Sequence, residues 1–216
     1  MPPSARAGAS SVFVGSTVCA YFWLVTPEPY DDETGEALRP MGLVLDDDRG
    51  SLPYHLVHGE ALVAAAAWAM GEAGVDLVDV TVPWSVVTDL GRPLVLHDPL
   101  CPMTPAEFIA ECVQVAVARD VVTVGVRPVT DTVKRVTEGR LGQTVDRDGL
   151  AAVCSPVVLP ARVVAELSAQ PAGDFVALVT ALRSSYDVVL LEAPPAARRV
   201  SSDDDLRVLE ALTEPR

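Results

Sequence analysis

Positive charge is the scarcest commodity in these 216 residues: 16 Lys and Arg stand against 30 Asp and Glu, a formal charge of −14. A field of that sign repels phosphate backbones and anionic bilayers, which excludes nucleic acid and a membrane surface as partners. A small anion remains within reach, because a local cluster of Arg and Lys overrides the global field. Histidine is nearly absent, at three residues, and the four cysteines (Cys19, Cys101, Cys112, Cys154) form no CxxC pair. No His or Cys lies at metal-ligand spacing, so no metal site is expected, and the thiols read as free and buried in a reducing cytoplasm. Long apolar runs are missing too. The longest, Val12 to Val25, is interrupted by Ser16 and Thr17 and is too short to span a bilayer. The expected location is cytoplasmic.

Half of the residues are hydrophobic and 21% are charged, a balance that suits a globular chain with a sizeable core. Residues 1–11 read as a disordered Pro/Ala/Ser tail, and 12–216 as a single domain. Val18 to Val25 has the aromatic and β-branched content of a strand buried on both faces. Thr26 to Glu33, with two prolines and a run of acids, enforces a loop after it. Met41–Leu45 and Ser51–Leu56 flank the turn-rich Asp46 to Gly50 and suggest a hairpin. Glu60–Glu72 is helical, and Leu77–Val82 and Pro93–Leu96 are strands.

Thr104-Pro105-Ala106-Glu107 looks like an N-cap, first-turn proline and capping-box acid for a helix to about Ala118. Val121–Val126 is a strand, and Asp131–Val145, with Gly139 and Gly142, is an extended arm or hairpin. Helices at Arg162–Leu167 and Asp174–Arg183, a strand at Tyr186–Glu192 and a helix at Asp203–Leu212 complete the chain. Strand and helix alternate, so the expected class is α/β: a three-layer α/β/α sandwich on a mostly parallel sheet. Four polar blocks end apolar runs within Val95–Pro156, and in such sheets the carboxyl edge is where ligands bind.

Those blocks carry a resemblance. His97-Asp98-Pro99-Leu100-Cys101-Pro102, the intact Pro128-Val129-Thr130-Asp131-Thr132-Val133-Lys134, Thr144 to Leu150, and Cys154-Ser155-Pro156-Val157 occur in one order over some sixty residues. They resemble the methylerythritol-phosphate cytidylyltransferase family, whose turns read His-Asp-Ala-Ala-Arg-Pro, Pro-Val-x-Asp-Thr-x-Lys, Thr-Val-x-Arg-x-x-Leu and Gln-Thr-Pro-Gln. The resemblance implies a nucleotide-diphospho-sugar transferase-like fold with residues 128–150 as a protruding dimerisation arm. It further implies that Thr132 and Arg147 reach a neighbouring subunit's sugar-alcohol phosphate, and that Asp98 lies near substrate hydroxyls and metal. Ser155 keeps the hydroxyl of the family's threonine, and Arg199 the charge of its lysine. Cys101 replaces a substrate-binding arginine, while Ala196 and Ala197 replace an Asp-Asn pair.

Other family features are missing. Its first strand leads into Ala-Ala-Gly-x-Gly-x-Arg, whose amides wrap a triphosphate, and a Pro-Lys follows. Here the strand Val18–Val25 would lead into Thr26–Glu33, where prolines remove donors and acids oppose a tetra-anion, and the nearest Pro-Lys counterpart is Pro40-Met41. Trp84 to Pro93 is too short for the strand and helix that enclose the family's base. The expectation is a degenerate, non-catalytic homodimer, without an assigned catalytic residue, that binds a small phosphate or modulates a true cytidylyltransferase as a heterodimer. The alternative is an active enzyme that transfers CMP from CTP with Mg²⁺.

Overall fold

The computed structural model describes residues 39–214. Ten strands and six helices alternate along this stretch. In chain order they are β1 Met41–Val44, β2 Leu56–Val57, β3 Glu60–Ala61, α1 Leu62–Glu72, β4 Asp76–Leu77, α2 Trp84–Asp89, β5 Leu94–His97 and α3 Ala106–Arg119. Then follow β6 Val122–Pro128, β7 Val133–Thr137, β8 Arg140–Val145, β9 Ala151–Leu159, α4 Ala161–Glu166, α5 Phe175–Leu182, β10 Val188–Glu192 and α6 Asp203–Thr213. Six strands form one sheet in the order β10-β6-β9-β5-β1-β4, parallel throughout except for β9.

Strand alternation sorts the apolar residues into two layers. Leu94, Leu96, Val157 and Leu159 join Met41 and Leu43 on one face, under Val87 of α2, Val163 and Val164 of α4, and Phe175, Val179 and Leu182 of α5. Val95, Val158 and Cys154 face the other way, under Met70 of α1 and Phe108, Ile109 and Cys112 of α3. The sheet is thus covered on both sides, and the three-layer class expected from the alternation is the one observed. A third cluster ties α6 to β2 and α1 through Val57, Leu62, Leu206 and Leu209. Cys101, Cys112 and Cys154 are buried free thiols.

Several local expectations need correction. Met41–Leu45 and Ser51–Leu56 do not pair with each other. Met41–Val44 is an interior strand between β4 and β5, and Leu52–Tyr54 is a single 3-10 turn. The reason lies in burial: Met41, Leu43 and Leu45 are all at most 1% exposed, and Gly42 leaves room for Met70 and Val75 pressing from the other face. The small hairpin is instead β2–β3, turned by His58 and Gly59 at positive φ. Leu77–Val82 is strand only at its start, because the Asp79 carboxylate accepts the Thr81 N–H and bends the chain away.

Thr104 does not cap α3. Pro105 holds the N-cap position without a side-chain bond, and the Thr104 hydroxyl donates to the Cys101 carbonyl. Between β4 and β5 the ten residues Trp84–Pro93 hold only α2, and β4 is the sheet's edge among the described residues. The expected tail 1–11, the strand Val18–Val25 and the loop Thr26–Glu33 lie outside the described residues.

Candidate functional site

The carboxyl ends of β1, β5, β6 and β10 and the start of β9 meet at one edge, which gathers residues far apart in sequence. Asp98, directly after β5, is the centre. Its carboxylate is 3% exposed, and one oxygen accepts the Arg199 Nε–H at 2.9 Å and faces Arg49 Nη2 at 3.2 Å. The other oxygen accepts the Leu100 N–H at 3.0 Å, which fixes the turn His97–Pro102. The Asp98 N–H donates to Ser155 Oγ at 2.8 Å, and that hydroxyl is also 2.8 Å from His97 Nδ1. Asp98, Ser155 and Arg199 therefore form one network with His97 and Arg49.

His97 is fully buried, and its Nε2 has no partner among the described residues. Burial lowers its pKa to about 4, against the opposing pull of the Asp98 carboxylate, so the ring is neutral at pH 7. Cys101 is equally enclosed. Burial first, then the Asp98 carboxylate and Cys154, push its thiol well above the ordinary range, so it does not supply a thiolate nucleophile. Burial likewise raises Cys154 to about 11. No group of three or more His, Cys, Asp or Glu that could hold a metal ion occurs among the described residues. Asp98, the carboxylate that the resemblance places near a metal, faces two guanidinium groups. That setting does not fit Mg²⁺, which needs carboxylate oxygens free of competing cations.

Thr132 and Arg147 lie elsewhere. They flank the antiparallel pair β7–β8, both exposed, and the Arg147 guanidinium donates to the Thr130 carbonyl. Lys134, beside them, donates to Thr144 Oγ1 across the hairpin at 3.1 Å. No described hydrogen bond joins Thr132 or Arg147 to the Asp98 network, so the five expected residues fall into two groups, three at the sheet edge and two on the arm.

Between the groups lies a cleft of about 390 Å³ lined by Arg127, Thr130, Asp131, Cys154, Arg198 and Arg199. Arg127 is held by the Ala193 carbonyl at 3.0 Å, and Arg198 by Asp205 at 3.4 Å. Sequence reasoning missed Arg127, although a cation at the carboxyl end of a buried strand is a usable signal.

The loop beside Asp98 is the one after β1, Leu45-Asp46-Asp47-Asp48-Arg49-Gly50, followed by Pro53-Tyr54. Thr26–Glu33, the expected counterpart of the family's phosphate loop, lies outside the described residues. Pro40-Met41 opens β1, upstream of the loop.

Known proteins match this geometry. The family model described as IspD, 2-C-methyl-D-erythritol 4-phosphate cytidylyltransferase, matches residues 80–212. The protein of that name from Corynebacterium glutamicum strain ATCC 13032 is 30% identical over 200 residues, covering 88% of this chain and 73% of its own length. That from Bacillus licheniformis is 28% identical over 127 residues, covering 56% and 54%. The crystal structure of the protein of that name from Thermus thermophilus superposes with a TM-score of 0.61 at 21% identity, over 82% of this chain and 100% of that one. With blocks, sheet and sequence in agreement, the chain belongs to the 2-C-methyl-D-erythritol 4-phosphate cytidylyltransferase family.

Proposed function

We propose that this chain is a non-catalytic member of its family, a homodimer joined through the arm 128–150 that binds a small phosphate monoester and not CTP. The observation that carries the reading is the Asp98 carboxylate, buried between Arg49 and Arg199 beside a loop with three consecutive aspartates. A triphosphate brought to that loop meets carboxylates where a phosphate-binding loop offers amides, a repulsion at short range. Arg127, Arg198 and Arg199 leave one cationic wall, which suits the charge of a single phosphate. Thr132 and Arg147, exposed on the arm, are available to a neighbouring subunit. The chain would then modulate a true cytidylyltransferase by pairing with it.

Calorimetric titration tests the reading. The expected outcome is no heat of binding for CTP with Mg²⁺ up to millimolar concentration, and measurable binding of a sugar-alcohol phosphate that is lost in Arg199→Ala. Micromolar CTP binding with pyrophosphate release would establish the second reading, an active CMP transferase. That alternative is favoured by the 30% identity to the Corynebacterium protein. Mixing with an authentic cytidylyltransferase tests the regulatory version, which fails if only separate homodimers form.

A further inference from the structure

Two of the cleft arginines sit on the segment Arg198-Arg199-Val200-Ser201-Ser202, which joins the 3-10 turn Pro195–Ala197 to α6 without regular structure of its own. Its course is fixed from two sides. From the sheet edge, Asp98 accepts the Arg199 Nε–H at 2.9 Å, the Leu100 carbonyl accepts the Val200 N–H at 2.7 Å, and Val200 is fully buried. From α6, a single carboxylate gathers the remainder. Asp205 Oδ2 accepts the Ser201 N–H at 3.0 Å, the Ser201 hydroxyl, and the Ser202 hydroxyl at 3.2 Å. Its Oδ1 pairs with Arg198 Nη2 at 3.4 Å.

Part of that pattern is helix capping. Ser202 is the N-cap of α6, its Oγ accepts the Asp205 N–H at 3.2 Å, and the Asp205 carboxylate reaches back in return, as in a capping box. Capping needs only one of the two oxygens. The other, Oδ1, is turned to Arg198, whose guanidinium has no further partner among the described residues. The Ser201 hydroxyl above all, then the Ser201 N–H, Ser202 and Arg198, outweigh burial and lower the Asp205 pKa, so the carboxylate is ionised at pH 7. Each of the three arginines in the cleft is thus set by a different group: Arg127 by the Ala193 carbonyl, Arg199 by Asp98 and Arg198 by Asp205. An arginine already held in place loses less rotamer freedom when it meets an anion, and so binds it more tightly. The opposing effect, repulsion of the anion by Asp205 itself, is reduced because three donors already share its Oδ2.

We propose that Asp205 is a positioning residue of the phosphate cleft, which acts through Arg198 to pre-order the cationic wall that a phosphate monoester meets. This role rests on the phosphate reading above. It gives the start of α6 a second task beside capping: the same carboxylate that ends the helix also aims an arginine.

Calorimetric titration with erythritol 4-phosphate, paired with thermal melts, tests the proposal. Asp205→Asn keeps an oxygen for the Ser201 N–H and removes the charge that holds Arg198. The expected result is a rise in Kd of about three- to fivefold, with Tm within a few degrees of the wild type. Arg198→Ala is expected to raise Kd at least as much, and the double variant no further than Arg198→Ala alone, because Asp205 acts through that arginine. Ser202→Ala is the control for capping, expected to lower Tm and leave Kd unchanged. An Asp205→Asn protein that binds as tightly as the wild type, or more tightly, would overturn the proposal, as would losses that add in the double variant. A wild type that binds no erythritol 4-phosphate would overturn the phosphate reading and this role together. Binding that Arg199→Ala abolishes and Asp205→Asn leaves intact would remove the role of Asp205 alone.

Discussion

Asp98 shows how one buried carboxylate sets the character of this site. At 3% exposure it has lost its hydration, and Arg49, Arg199 and the Leu100 N–H replace it. Asp98→Asn keeps the volume and removes the charge, which leaves the Arg49 guanidinium, itself only 14% exposed, with the Gly173 carbonyl and no counter-charge beside it. A loss of about 3 kcal/mol is expected in denaturant unfolding. Arg199 has 37% of its side chain in solvent, so Arg199→Ala should cost under about 1 kcal/mol while abolishing phosphate binding.

His97 adds a pH signature. Its folded pKa of about 4 lies below the ordinary 6.5, so between those values the unfolded chain binds more protons. Its contribution is fully present above pH 6.5 and is lost as the pH falls toward 4. Thermal melts should show stability dropping from about pH 6.5 to about pH 5, before most carboxylates titrate, and His97→Gln should flatten that slope. The sequence names Asp98 and Ser155 through their blocks and Arg199 through the charge it shares with the family's lysine. It does not name their mutual contacts, since 57 residues separate Asp98 from Ser155 and 101 separate it from Arg199.

At the scale of elements, the long alternating pattern was readable and the short pieces were not. α3, β6 and α5 fall close to where their periodicity puts them, because each buries a full face. β1 reads in sequence as half of a hairpin, since a four-residue apolar run before a turn looks the same in either setting. Only the sheet order reveals that it is flanked on both sides.

β6 also carries a tight approach that a sequence does not disclose. A Cβ on Gly125 would stand 2.7 Å from the Ser155 carbonyl oxygen and 3.2 Å from Phe108, beside the bulge between Val124 and Val126. Backbone cannot yield as a side chain does, so Gly125→Ala should cost about 2 kcal/mol in chemical denaturation. Gly42→Ala meets Met70 Cε and, at 2.5 Å, Val75 Cγ1; the methionine end can swing aside, but the buried β-branched Val75 cannot, so a loss of similar size is expected. A Gly42→Ala variant as stable as the wild type would contradict this account.

For the whole molecule, the arm is the feature that projects. Among the described residues β7 and β8 pair only with each other, and Val136 and Leu141 are 62% and 78% exposed. Under the proposed dimer, replacing residues 131–146 by a short turn should leave the melting temperature of the core within a few degrees and convert that dimer to a monomer in analytical ultracentrifugation. A truncated protein that stays dimeric would remove the arm from that role. The surplus of acid works against any polyanion at long range, and the cleft at Arg127, Arg198 and Arg199 answers it only locally.

By itself the sequence determined the α/β class, the order of the family blocks and the shortness of the link before β5, because periodicity, motif spacing and chain length are all local quantities. Tertiary structure alone decided that the acidic loop after β1 faces Asp98. The same holds for Arg49 and Arg199 closing on one carboxylate and for Arg127 lining the cleft. Those are contacts between strand ends that a parallel sheet brings to one edge, and crossovers of dozens of residues hide such neighbours from any window along the chain.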